Sequence, residues 1–267
     1  KIHIGNTPPK GGGWTQDPDV FDTWFSSGQW PHLTLGWKDS GKHDKDFKNF
    51  YPTSVMETGS DILFFWVARM IMMGIYRTKK IPFKTVYLHG LVRDKDREKM
   101  SKSKGNVINP LAVADEYGAD AVRAALVAGI TPGRDSAISE DKIRGYRNFS
   151  TKLWNIARFI AMQQSNSISK TDKAHLKKLA TIKNKVTKHL ESYEFHLALE
   201  TIYHYVWHEF ADVIIEDAKR GEVSRELLIK ILEECLIMLH PFMPFVTEEI
   251  YQTLCAKQKE LLMTKKW

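Results

Sequence analysis

Val55-Met56-Glu57-Thr58-Gly59-Ser60-Asp61-Ile62 is the stretch on which the fold turns. Val55-Met56-Glu57-Thr58 reads as a strand, Gly59-Ser60-Asp61 as a turn, and the apolar run from Ile62 to about Tyr76 as a helix. Thr85-Val86-Tyr87-Leu88, bounded by Pro82 and Gly90, reads as a second, buried strand. Strand, helix and strand at this spacing form a βαβ unit, which predicts a parallel sheet. Such sheets bind ligands beyond the carboxyl ends of their strands. That edge would hold Thr58-Gly59-Ser60-Asp61 and His89-Gly90.

The second strand leads into Lys99-Met100-Ser101-Lys102-Ser103, followed by Lys104-Gly105-Asn106. Residues 92–99 are nearly all charged, and Asn109-Pro110 reads as an N-cap with proline at the first helical position. The run sets three lysines and two hydroxyls on a polar loop between strand and helix. Lysine is a compact cation on a long stem. It can follow charge as it develops on a departing phosphate and so stabilise a transition state above a ground state. A solvated lysine-rich turn is the competing reading of such text taken alone.

The 267 residues suffice for one large or two ordinary domains. A net charge of +7 favours an anionic partner such as a nucleotide or nucleic acid. Cys235 and Cys255 are the only cysteines, and both sit in helical apolar patterns. No disulfide framework or metal site is indicated, and a reducing cytoplasm fits. The run from Ile62 to Tyr76 is interrupted by Arg69 and is shorter than the roughly 20 residues of a membrane span. It is expected to be a buried helix, with no membrane partner. The sequence opens at Lys1 and ends in mid-pattern at Trp267, so a piece of a longer protein is expected.

Residues 1–20 hold Thr7-Pro8-Pro9 and Gly11-Gly12-Gly13 and read as a linker. Trp24, Trp30 and Trp37 follow, then a polar loop over 39–49. Pro110 to Tyr117 reads as a helix closing on Gly118, and Asp120 as the cap of another closing on Gly129. From Ser139 onward, Ile143, Tyr146, Phe149, Leu153, Trp154, Ala157 and Ile160 keep helical spacing. Gln164 to Thr171 is a polar break. Helical stretches follow at 172–191, 195–219 and 224–239, with Thr247 capping a last one beyond Pro241-Phe242-Met243-Pro244. No strand signal follows residue 130. The fold class expected is α/β followed by all-α, divided at 1–20, 21–138 and 139–267.

The lysine loop resembles the signature loop of class I aminoacyl-tRNA synthetases. Asp19-Val20-Phe21-Asp22-Thr23-Trp24-Phe25-Ser26-Ser27-Gly28, Trp30-Pro31, Gly59 to Met70, Leu88 to Arg93 and Lys104 to Ile108 look like the valyl members. Arg147-Asn148-Phe149, Lys152-Leu153-Trp154-Asn155 and His240 to Phe245 are similar too. The resemblance implies the C-terminal half of a Rossmann-like nucleotide-binding domain and an anticodon-binding helical bundle. It implies activation of valine by ATP and transfer of the valyl group to tRNA(Val), with Mg2+ accompanying ATP and no tightly bound cofactor. Lys102 would hold the phosphates, with Lys99 beside it and Met100, Ser101 and Ser103 in the same loop. Gly59 and Asp61 would approach the ribose, and His89 and Gly90 the adenine. Trp24, Ile62 and Trp66 would wall the valine side chain.

That wall is plausible from the residues, since Ile62 and Trp66 are four apart and would share a helix face. A rigid pocket of this kind excludes a larger side chain by overpacking, yet it discriminates weakly against a hydroxyl in place of a methyl. Core packing of the indoles, and a helix-capping role for Asp61, are the simpler readings. The family's His-x-Gly-His motif is not found; His3-Ile4-Gly5-Asn6 lacks its last histidine and a strand before it. The resemblance therefore implies that half the ATP site, an editing domain and a C-terminal arm lie outside this sequence. This chain alone is not expected to form adenylate, and its uncovered sheet face favours self-association, although the parent enzyme would be a monomer. A tRNA-binding module only, or another class I synthetase such as the isoleucyl enzyme, are the alternatives.

Overall fold

The computed structural model describes residues 2–164, 172–255 and 260–267, with backbone alone at Lys102. They divide into two compact units, one ending at Val86 and one beginning at Tyr87.

In the first unit, residues 2–22 carry no regular element, as their prolines and glycines dictate. Helix α1 (Thr23–Ser27) is capped by Asp22, whose carboxylate accepts from Trp24 N at 3.0 Å. Helix α2 spans Trp30–Leu33. The polar loop expected at 39–49 instead contains most of helix α3 (Lys45–Phe50). It forms because Phe47 buries itself and stacks on Tyr51 at 4.7 Å. Strands β1 (Thr53–Gly59) and β2 (Phe83–His89) pair in a two-stranded sheet. Thr53 N donates to Pro82 O at 2.9 Å, so the two strands start side by side, and helical turns link them.

The connection departs from the expected single helix. Ser60–Ile62 is a 3-10 turn, Leu63–Val67 a π turn, and only Ala68–Thr78 (α4) is α-helical. Leu63-Phe64-Phe65-Trp66 are four bulky residues in a row, and one α-helical stripe cannot bury them all. The wider turn brings Val67 and Met70 into a core with Met56 and Phe83, with Trp66 packed at its edge, and leaves Phe64 exposed.

In the second unit, β3 (Val92–Arg93) pairs in parallel with β4 (Ser136–Ala137). Strand β4 corrects the expectation of no strand beyond 130; two residues are too short to show a period. Helix α5 (Pro110–Tyr117) is capped as expected, with Asn109 Oδ1 accepting from Leu111 N at 3.0 Å. Helix α6 (Ala119–Val127) follows Gly118, whose φ of 90° favours glycine. Asp120 therefore lies inside the helix it was expected to cap.

The rest of the unit is helical: α7 (Glu140–Met162), α8 (Asp172–Glu191), α9 (Phe195–His204), a π segment (Tyr205–Ile214), α10 (Ile215–Lys219), α11 (Arg225–Leu239) and α12 (Pro244–Leu254). Its core includes Phe149, Leu153, Ile160, Phe210, Ile231 and Tyr251, all fully buried. Trp154, expected on that face, is 38% exposed. Thr247 is not the cap of α12. It sits in the first turn, donates to Met243 O at 2.8 Å and meets His240 Nδ1 at 2.9 Å. Residues 165–171 of the expected polar break lie outside the described residues.

Candidate functional site

The expected site residues fall into both units. In the first, Gly59 ends β1 and is buried, with extended backbone. Asp61 stands within the 3-10 turn, exposed, and makes no capping hydrogen bond, so the capping reading does not hold. Ile62 closes that turn and Trp66 lies in the π turn, so their four-residue spacing is not that of one α-helical face.

Two of the three expected wall residues, Trp24 and Trp66, have contacts at α1. Trp66 Nε1 donates to Ser27 O at 3.1 Å, and the Trp24 ring lies 5.9 Å from that of Phe65. Gly28 lets the end of α1 lie close to α4, because a Cβ there would meet Met73 Sδ at 2.9 Å and Arg69 Cβ at 3.2 Å. Phe65, half exposed beside Trp24, was not among the residues singled out from the sequence. The succession of aromatics was the available signal.

Strand β2 runs past the division at Val86, so its last residue, His89, belongs to the second unit, and His89 Nδ1 lies 2.9 Å from Gly90 O. Gly90 faces the backbone of Arg134 and Asp135 so closely that no Cβ fits. Segment 131–138 threads along this strand: Gly133 N donates to Leu88 O at 2.8 Å and Ser136 N to Leu91 O at 3.0 Å. Asp135 accepts from Leu91 N at 2.8 Å and from Arg93 Nε. The Leu91 N–H, then Arg93, holds the Asp135 carboxyl below its usual range. Sequence reading missed Asp135, because its partners lie more than 40 residues away.

The lysine loop is built on a tight hairpin. Arg93 bridges Lys99, and Asp94 folds the chain between them. Asp94 Oδ1 accepts from Glu98 N at 2.7 Å and Asp96 N at 3.0 Å. Its Oδ2 accepts from Asn106 Nδ2 at 2.8 Å, and Asn106 Oδ1 accepts from Ser101 N at 2.9 Å. The Asn106 amide, followed by the Glu98 N–H, holds the Asp94 carboxyl below its usual range. Lys102–Lys104 form a 3-10 turn, with Lys104 N donating to Ser101 O at 3.2 Å and Ser101 Oγ 3.2 Å from Ser103 Oγ.

Met100 packs against the small core of Tyr117, Ala121, Val122, Ala125, Ile138 and Ile143. It therefore anchors the loop to the helices behind it. The three lysines differ. Lys104 pairs with Glu98 at 2.8 Å, which raises its pKa. Lys99 is exposed. The Lys102 side chain lies outside what the structure describes.

Along the chain, strand, helical turns and strand are followed by the lysine loop and then by a helical bundle. Residues 6–139 match the family model of the class I tRNA synthetases (I, L, M and V), and residues 172–267 that of the anticodon-binding domain of tRNA ligases. The chain belongs to the class I tRNA synthetases of the isoleucine, leucine, methionine and valine group. It is 48% identical over 262 residues to the valine–tRNA ligase of Dehalococcoides mccartyi strain CBDB1, covering 92% of this chain and 29% of that protein. The valine–tRNA ligase of Geobacter sulfurreducens is 47% identical over 259 residues, covering 90% and 29%. The chain thus spans under a third of the length of these curated relatives.

Solved structures agree on the fold. The LeuRS of Agrobacterium radiobacter, in a ternary complex with tRNA and LeuAMS, superposes with a TM-score of 0.75 at 22% identity, covering 95% of this chain and 34% of that one. The Mycobacterium tuberculosis methionyl-tRNA synthetase in complex with methionyl-adenylate gives 0.64 at 25% identity, covering 82% and 47%.

Proposed function

We propose that this chain forms the phosphate-gripping half of a valine–tRNA ligase active site, together with its tRNA-binding helices. In the reaction, a carboxylate oxygen of valine attacks the α-phosphorus of ATP and pyrophosphate leaves. The valyl group then moves from AMP to the terminal ribose of tRNA(Val). The observation that carries the reading is the lysine loop, tied down by Asn106 and Met100 while Lys99 remains exposed. Cations on a positioned loop stabilise the leaving pyrophosphate where charge accumulates.

Lys102 and Lys99 hold the phosphates, with Met100, Ser101 and Ser103 shaping the loop. Mg2+ enters with ATP, held by phosphates and water. Gly59 and Asp61 contact the ribose, His89 and Gly90 the adenine. Trp24, Ile62 and Trp66 surround the valine side chain. Residues 21–138 carry the catalytic part and 139–267 the tRNA-binding part, and the parent enzyme works as a cytoplasmic monomer. No helix among the described residues is long and apolar enough to cross a membrane.

ATP–pyrophosphate exchange tests this reading. The complete enzyme that carries this sequence exchanges with valine far better than with isoleucine, and this chain alone does not exchange. Preference for isoleucine would overturn the valine assignment. Valine-dependent exchange by the isolated chain would show that the site needs no further segment. Salt-dependent binding of tRNA(Val) in preference to another tRNA tests the helical part.

A further inference from the structure

We propose that Asn106, clamped by Asp94, is the positioning residue of the lysine loop. Asn106 bonds at both ends of its amide. Its oxygen takes the Ser101 N–H inside the lysine run at 2.9 Å, and its nitrogen gives to Asp94 Oδ2 at 2.8 Å and more weakly to Lys99 O at 3.4 Å. The amide presents the acceptor and the donor that these two places need. Asp94 is itself fixed by the Glu98 and Asp96 N–H groups and stands next to the Arg93–Ala137 register of the parallel pair. A continuous path therefore runs from strand β3 through Asp94 and Asn106 to the backbone at Ser101.

Lysine side chains grip phosphate through long flexible stems, so the loop's accuracy must come from its backbone. Met100 fixes one side of Ser101 by packing, and Asn106 fixes its N–H. Together they determine where the backbone of Lys99 and Lys102 stands as the phosphates rearrange. Neither Asp94 nor Asn106 need touch ATP for this. The assignment rests on the loop's role as a phosphate grip.

The clamp has a chemical signature. Asn106→Asp keeps the acceptor for Ser101 N–H but sets carboxylate against carboxylate at Asp94. Asp94→Asn combined with Asn106→Asp restores a donor–acceptor pair with the polarity reversed.

In the complete enzyme, Asn106→Asp is expected to lower kcat for valine-dependent exchange roughly tenfold to a hundredfold, as misplacement of about an ångström does. KM for ATP should change less than about threefold, because the phosphates are still met by the same lysines. The double variant should recover at least half of the lost kcat on a logarithmic scale. Amide exchange at Ser101 should accelerate in Asn106→Asp and slow again in the double variant. A single variant with kcat within twofold of the parent, or a double variant no better than the single, overturns the clamp. If the parent enzyme shows no valine-dependent exchange, the functional reading fails, while the Ser101 amide still decides the clamp.

Discussion

Asp120 and Val246 are 126 residues apart, and the carboxylate of the first accepts the backbone N–H of the second at 2.6 Å. The same carboxylate accepts from Phe245 N at 3.2 Å. Asp120 thus caps α12 from inside α6, and Arg123, on the same helix, donates to Pro241 O at 3.1 Å. Helix N-terminal N–H groups require such partners. Burial pushes the Asp120 carboxyl up, while the Val246 and Phe245 N–H groups pull it down. Asp120→Ala removes the cap and leaves both N–H groups without it, so a loss of roughly 1–3 kcal/mol is expected in urea denaturation. Asp120→Asn, which keeps an acceptor, should lose less.

His32 gives stability an acid limit. It is fully buried, edge-on to Trp37 at 5.5 Å, and among the described residues neither ring nitrogen finds a partner. Burial, then the Arg77 charge, pushes its pKa below the usual value. The unfolded chain, with a value of about 6.5, takes up the proton first. His32's contribution is therefore full above pH about 6.5 and declines as pH falls below it. Urea midpoints between pH 8 and 5 should show this, and His32→Phe should flatten the slope.

Gly90 is intolerant of any side chain. A Cβ would overlap the Arg134 carbonyl. Gly90→Ala is expected to destabilise by roughly 1–3 kcal/mol, the range for overpacking. Gly12→Ala is the control: an added Cβ there meets nothing, and the change should stay within about 0.5 kcal/mol.

Arg97 holds a left-handed φ of 63° in the Asp94 hairpin. A side chain in that conformation costs about 1 kcal/mol more than glycine. Arg97→Gly should slow amide exchange at Glu98 roughly fivefold, the equivalent of that energy. No change would mean the hairpin absorbs the strain elsewhere.

Trp24 tests the pocket. Its ring neighbours Phe65 at 5.9 Å. Trp24→Ala in the complete enzyme should reduce the preference for valine over isoleucine about tenfold, the scale of one methylene in a tight pocket. An unchanged ratio in exchange kinetics would remove Trp24 from the valine wall.

Much was legible in the residues themselves. The strand core at 55–58, the cap at Asn109, the helices from 140 onward and the ordered lysine run all follow from signals between near neighbours. Caps, periods and turn residues encode local geometry, so a one-dimensional reading reaches them. What remained hidden depends on partners that the chain brings from afar, or on competition between neighbours for one core. Asp120 looked like a local cap because nothing in its vicinity announces Val246. The π turn at Leu63–Val67 arises because four bulky residues cannot share one stripe, and only the packed core decides which turn inward. The sequence by itself determined the family's signature loop and most of the helices of the second half. Only the tertiary structure decided how that loop is held, because hydrogen-bond partners such as Asn106 and Asp94 are selected by the path of the backbone and not by residue type.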